Sequence, residues 1–255
     1  MIKAVFFDID GTLLSHASGG VPESARRALA LLAERGVPRF LATGRHILEI
    51  HRLLPDLSFD GCVTLNGQIC LDGQEHILFD APFPPADARQ AVSIFRRREA
   101  PAMLVQRDRM YINFVDGAVR QAQRAISSPI PPAGTYQEGP IYQLIVYGGG
   151  AEAGAALRQL PGCKMSRWND HAVDILPRSG GKVLGIGQFL RRLSLDWSEI
   201  MAFGDGENDV DMLRCAGVGV AMGNAEAAVK AAADYVTADV DQDGIYRALE
   251  HYGLL

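Results

Sequence analysis

The chain has 255 residues, 48% hydrophobic and 22% charged, with a formal net charge of −5 and four cysteines. That length holds one large domain or two smaller ones, with the composition of a globular protein. No apolar run of about 18 residues predicts a membrane span, the acidic total without an aromatic–basic motif argues against nucleic acid, and the scattered Cys62, Cys70, Cys163 and Cys215 read as reduced thiols, neither bridges nor zinc ligands.

Residues 4–7 form a short unbroken apolar run with β-branched and aromatic members, which predicts a strand buried on both faces. No basic segment followed by an apolar stretch and a cleavage site leads into it, so the cytoplasm is the expected location. Residues 21–35 have helical spacing, with Pro22 near the start and Gly36 after the end. Residues 37–42 read as a strand ending in Thr43-Gly44-Arg45. A helix over 47–54 is closed by Pro55, and a strand over 62–65 ends at Asn66-Gly67. This β-α-β-α-β order predicts a parallel, doubly wound sheet.

The pattern then changes. Residues 68–79 read as short strands around the hairpin turn Asp72-Gly73, and Phe83-Pro84-Pro85 as a linker. Beyond it, helices over 86–98, 118–126 and 151–160 alternate with strands in 103–114, 141–147, 164–168 and 172–176, with a Pro-rich bend at 129–132. Residues 81–178 carry 12 Lys+Arg against 8 Asp+Glu, which suits attraction of an anionic substrate or simply a solvated surface. From Gly180 the first pattern returns: a helix to Leu193, a strand over 199–205, a helix over 207–215, a strand over 218–222, an Ala-rich helix over 225–233, a strand over 235–237 and a helix over 244–252. The expected architecture is α/β, a doubly wound parallel sheet from residues 1–80 and 178–255 with an α+β domain, residues 81–177, inserted into it.

Four groups fall at strand ends or helix starts on one expected sheet edge, outside the carboxyl ends of the strands, where open α/β sheets bind ligands. Asp8 and Asp10 end the first strand; two acids so close repel, a bound cation removes that cost, and Asp oxygens suit a hard cation such as Mg²⁺. Gly11 lets the chain turn sharply with its amides close to an anion. Thr43 and Gly44 offer a hydroxyl and backbone amides at a helix start, suited to phosphate oxygens, and Lys182 is a point positive charge at another. Asp205 and Asp209, in Gly204-Asp205-Gly206-Glu207-Asn208-Asp209, add two carboxylates at a third strand tip. Each group alone has a plain reading as a helix cap or surface charge; their joint occurrence in this order argues against it.

Asp8-Ile9-Asp10-Gly11-Thr12, Thr43, Lys182 and Asp205-Gly206-Glu207-Asn208-Asp209 resemble, in order, the four motifs of the haloacid dehalogenase superfamily. Ala42-Thr43-Gly44-Arg45, Leu65-Asn66-Gly67 and Ala221-Met222-Gly223-Asn224-Ala225 look more narrowly like its Cof-type sugar-phosphatase branch, which has a Rossmann-like core and a type IIB cap inserted between the second and third motifs. Gly181-Lys182-Val183 stands where that branch often has Ser/Thr-Lys-Gly. The resemblance implies a Mg²⁺-dependent phosphatase for small phosphate monoesters. Asp8 would be the nucleophile, forming an aspartyl-phosphate, and Asp10 the general acid and base. Mg²⁺ would be held by the Asp8 carboxylate, the Asp10 backbone carbonyl and Asp205, supported by Asp209. Thr43, Gly44, Lys182 and Asn208 would hold phosphoryl oxygens, with Asn66 near the hinge as a further contact, and the cap would set specificity.

Asp239-Val240-Asp241-Gln242-Asp243-Gly244 with Glu250 satisfies an EF-hand pattern, but residues 234–237 read as a strand where an EF-hand needs a helix. Gly180-Gly181-Lys182-Val183 lacks the earlier glycine and the Ser/Thr of a P-loop, and residues 217–223 are one residue too long for a dinucleotide fingerprint. A sugar phosphomutase, and a Mg²⁺- or phosphate-binding regulatory module that is phosphorylated on Asp8 without turnover, are the alternatives. The sequence leaves monomer or homodimer open.

Overall fold

The structure, a computed structural model, describes residues 1–126 and 128–255, with Asn169 described by its backbone. Two compact units divide the chain, Met1–Asp80 with Gly181–Leu255, and Ala81–Gly180. No helix among the described residues is long and apolar enough to cross a membrane.

The first unit is built on β1 (Ala4–Phe7), whose four residues are fully buried because both of its edges and both of its faces are covered. α1 (Glu23–Glu34) leads to β2 (Arg39–Ala42), α2 (Ile47–Leu53) to β3 (Gly61–Thr64), and each strand lies parallel to the one before it. β4 (Ile69–Asp72) and β5 (Ile77–Asp80) continue this sheet as an antiparallel hairpin, so the change of pattern after Gln68 marks an edge of the same sheet.

The remaining segments of this unit run outward from the other side of β1. α6 (Lys182–Leu193) precedes β11 (Ile200–Gly204), α7 (Val210–Cys215) precedes β12 (Val218–Ala221), and α8 (Ala227–Lys230) precedes β13 (Tyr235–Val236), with α9 (Gly244–His251) last and packed against α1. The order β13-β12-β11-β1-β2-β3-β4-β5 puts the reversal of winding at β1. The helix expected over 225–233 is shorter, because the chain must turn into β13: Asp234 receives the Gly219 N–H on its carboxylate and donates its own N–H to the Gly219 carbonyl.

On one face of this sheet Phe6 stacks on Phe40 at 4.9 Å, and Phe40 meets Phe189 of α6 at 4.7 Å. Burying each ring contributes roughly 1.5–3 kcal/mol. A one-residue slip of β1 would turn Phe6 off this face. The aromatic core therefore fixes where the acids emerge at the strand's end.

In the second unit, α3 (Pro85–Arg97), β6 (Ala102–Val105), β7 (Met110–Ile112), α4 (Gly117–Ala125), β8 (Gln143–Tyr147), α5 (Gly150–Arg158), β9 (Cys163–Asn169) and β10 (Ala172–Pro177) follow in order. Its antiparallel sheet has the order β7-β6-β8-β10-β9, and Leu104, Leu144, Val146, Val173 and Ile175 share an apolar cluster with Val92 and Phe95 of α3 and with Ala153 and Ala156 of α5.

Candidate active site

Four loops at the carboxyl edge of the parallel strands supply the site. After β1, Asp8 is anchored by its N–H on the Phe203 carbonyl, and the chain folds back through a turn in which Leu14 donates to Ile9. Gly11 sits at φ +74°, and a Cβ there would lie 2.1 Å from an Asp205 carboxylate oxygen. Only glycine meets both conditions. Thr12 is buried and donates its hydroxyl to Asp205 Oδ1 at 2.9 Å.

After β2, Thr43 is 1% exposed and its Oγ1 accepts the Arg45 N–H at 3.1 Å; a hydroxyl that accepts still has a proton to donate. After β3 the backbone of Leu65, Asn66 and Gly67 lies in the left-handed region, with φ of 50°, 53° and 89°. For a leucine this is strain of order 1–3 kcal/mol, held by the surrounding fold. The turn brings the Asn66 amide against Gly44, where a Cβ would sit 3.1 Å from Asn66 Nδ2, and Asn66 Oδ1 accepts from Asn208 Nδ2 at 3.0 Å.

The same turn seats α6. Gly181 donates its N–H to the Asn66 carbonyl, its carbonyl lies 2.1 Å from where a Cβ of Gly67 would be, and Gly185 leaves room for Val63. Gly181 has φ +136°, a conformation open essentially to glycine, which accounts for its place beside the lysine. Close glycine packing of α6 sinks Lys182, its first residue, to 2% exposure. Lys182 Nζ donates to Asp8 Oδ1 and to Asp209 Oδ1, each at 2.6 Å.

After β11, Gly204 leaves room for Asp209, whose Oδ2 accepts the N–H groups of Asp205 and Gly206 at 3.0 and 2.9 Å. This inward turn makes residues 207–209 a 3-10 turn ahead of α7, in place of one continuous helix.

Asp8, Asp205 and Asp209 each offer an oxygen within 4.8 Å of the others, a group of hard donors that could hold a metal ion. Their electrostatics suit a cation. Burial, followed by the neighbouring acids, raises the Asp8 pKa well above the carboxylate range, with Lys182 opposing, and burial with Asp209 lifts Asp205 to about 7. Burial alone would discharge Lys182, but the Asp209 and Asp8 carboxylates outweigh it and hold its pKa above the ordinary lysine value.

The Asp10 carboxylate lies outside this trio. Both its oxygens are held by Arg45, Nε to Oδ2 and Nη2 to Oδ1 at 2.7 Å each, while Nη1 reaches Glu49 Oε1 at 2.8 Å. The metal contact expected through Asp10 involves its backbone carbonyl, so the two placements do not conflict.

Asp8, Lys182, Asp209 and Asp205 form one hydrogen-bonded set, Asp10 and Thr43 are joined through Arg45, and Asn66 meets Asn208. Three partners were not singled out for a role. They are Arg45, Thr12 and Asn224, whose Nδ2 donates to the Gly11 carbonyl at 2.8 Å and to Asp205 Oδ2 at 3.4 Å. Asp241, central to the EF-hand pattern, accepts from Ser15 at 2.9 Å, and the loop is entered from the two-residue strand β13.

A family model described as haloacid dehalogenase-like hydrolase matches residues 5–249. Putative phosphatase YkrA of Bacillus subtilis (strain 168) is 32% identical over 99% of this chain and 98% of its own length. Among solved structures, the phosphatase BT1666 from Bacteroides thetaiotaomicron superposes with a TM-score of 0.90 at 32% identity, covering 100% of this chain and 96% of that one. The subclass IIB sugar phosphatase BT4131 does so with a TM-score of 0.87 at 32% identity, covering 99% and 100%.

Proposed function

This chain belongs to the haloacid dehalogenase-like hydrolases, as a phosphoric monoester hydrolase of the Cof-type branch, and from that premise we propose that it is a Mg²⁺-dependent phosphatase acting on small phosphate monoesters, sugar phosphates or similar metabolites, through an aspartyl-phosphate on Asp8. The observation that carries this reading is the convergence of Asp8, Asp205 and Asp209 with the Lys182 ammonium set between two of them.

The donor set suits Mg²⁺, with the Asp8 and Asp205 carboxylates and the Asp10 carbonyl as ligands and Asp209 in support. When bound, the cation would neutralise charge on the carboxylates and on the phosphoryl oxygens. The protein's own groups do the rest. An Asp8 oxygen attacks phosphorus as the ester P–O bond breaks, and Asp10 gives a proton to the leaving oxygen. Water then attacks phosphorus, the bond to Asp8 breaks, and Asp10 takes the proton of that water. Lys182, the Thr43 hydroxyl, the Gly44 N–H and the Asn208 amide meet the phosphoryl oxygens, with Asn66 orienting Asn208 through their shared hydrogen bond. Residues 81–177 form the cap that selects the leaving group.

The test is phosphate release from sugar phosphates, pyridoxal phosphate and flavin mononucleotide, with Mg²⁺, with EDTA, and with Asp8→Asn. Release that needs Mg²⁺ and is lost in Asp8→Asn is the expected result. A folded, Mg²⁺-loaded protein that releases phosphate from none of them, or an Asp8→Asn variant that still turns over, would overturn the reading.

A further inference from the structure

We propose that Arg45 is a positioning residue for the second half of the reaction, aligning Asp10 to take a proton from the water that hydrolyses the aspartyl-phosphate; this rests on the acid–base role of Asp10 proposed above. The guanidinium meets Asp10 edge-on, Nε to Oδ2 and Nη2 to Oδ1 at 2.7 Å each, so the plane of the carboxylate is fixed by two parallel bonds. The fork is itself fixed. Nη1 donates to Glu49 Oε1 at 2.8 Å, and Glu49 Oε2 accepts the His46 N–H at 3.2 Å, which locks Glu49 into the first turn of α2. The Arg45 side chain is 7% exposed, against 27% for Asp10, so the anchor is buried and the group it holds faces outward. The His16 ring also stands near that carboxylate, with Nε2 3.9 Å from Asp10 Oδ1.

Two donors on two oxygens suit a carboxylate acting as acceptor, the role Asp10 has when water attacks. In that step the water oxygen bonds to phosphorus, the bond from phosphorus to Asp8 breaks and returns the carboxylate, the water proton passes to Asp10, and phosphate leaves. Proton donation to the leaving oxygen asks the reverse of Asp10, an oxygen carrying a proton and free of an N–H. The clamp therefore favours hydrolysis of the intermediate over its formation. Lysine keeps the charge but not the fork, so it replaces the orientation only in part.

The experiment is rapid-quench trapping of phosphorylated protein with p-nitrophenyl phosphate and Mg²⁺, whose leaving group departs without help from an acid. Wild type is compared with Arg45→Gln, Arg45→Lys, Glu49→Gln and Asp10→Asn. Arg45→Gln should keep the formation rate within a few-fold and slow hydrolysis by about 10- to 100-fold, the loss that a misplacement of about 1 Å brings. A burst of p-nitrophenol and phosphoenzyme should therefore appear, with a lower kcat and little change in formation.

Arg45→Lys and Glu49→Gln, which keep a cation or leave Asp10 untouched, should fall between wild type and Arg45→Gln, and either carries the test if Arg45→Gln does not fold. Formation and hydrolysis lowered in equal proportion, or unchanged, would overturn the inference while slowed hydrolysis in Asp10→Asn upheld the wider reading. If wild type forms no phosphoenzyme at all, both fall.

Discussion

Lys182→Met removes the ammonium and keeps most of the stem. The Lys182 side chain is 1% exposed and bridges carboxylate side chains that are 8% and 0% exposed, so no water takes its place easily. Two unit charges about 4 Å apart attract by about 4 kcal/mol at an effective dielectric of about 20, and desolvating the ammonium offsets several kcal/mol of the two pairs. Breaking a buried pair from one side then costs roughly 3–5 kcal/mol. Asp8, already pushed up by burial, would take a proton and keep the cost near the lower end. At about 2–4 °C per kcal/mol for a domain of this size, the unit holding the site should melt about 6–20 °C lower in EDTA.

Removing the lysine also leaves the carboxyl cluster of Asp8, Asp205 and Asp209 without the positive charge set between two of its members. Saturating Mg²⁺ should therefore recover part of the lost melting temperature while kcat/KM stays down by about 10²–10³-fold, the cost of losing one transition-state charge partner. Differential scanning calorimetry in EDTA and in Mg²⁺, with phosphate release on the same samples, reads both quantities. A melting temperature within about 2 °C of wild type in EDTA would show that Lys182 does not hold the two acids together, and the account of the site's electrostatics would fail.

Asn224→Ala should raise the Mg²⁺ concentration for half-maximal activity by about 10- to 100-fold, because Asn224 orients Asp205 and ties it to the Gly11 turn; an unchanged titration would refute that role. The same half-saturation should depend on pH. Asp205, raised to about 7 in the metal-free protein, must lose its proton to bind a cation, so apparent affinity falls about tenfold per unit below that value. The linked stability has the opposite sign. Between the ordinary 3.8 and about 7 the metal-free folded protein holds the extra proton, so its stability should fall as pH rises through that window, as a chemical denaturation series in EDTA would show. A stability that rises over the same window in EDTA would contradict the burial of Asp205.

What the sequence disclosed and what it withheld divide along a physical line. Asp8, Thr43, Lys182 and Asp205 were legible because each follows a strand or opens a helix, and that position alone brings it to one edge of a parallel sheet. Arg45 is less legible, because in sequence it has only a local partner, Glu49 four residues on. Its second partner, Asp10, lies 35 residues away and is reached only once β1 and β2 are neighbours. Thr12 and Asn224 were hidden for the same reason: a threonine after a glycine and an asparagine in a turn have local uses, and their contacts with Asp205 cross 193 and 19 residues. One signal was available. Gly11, Gly44, Gly67 and Gly204 each stand beside a chemical residue, and each leaves a gap that a neighbouring backbone or side chain enters. Glycines clustered at strand ends mark where segments distant in sequence press together, and the supporting residues are found there.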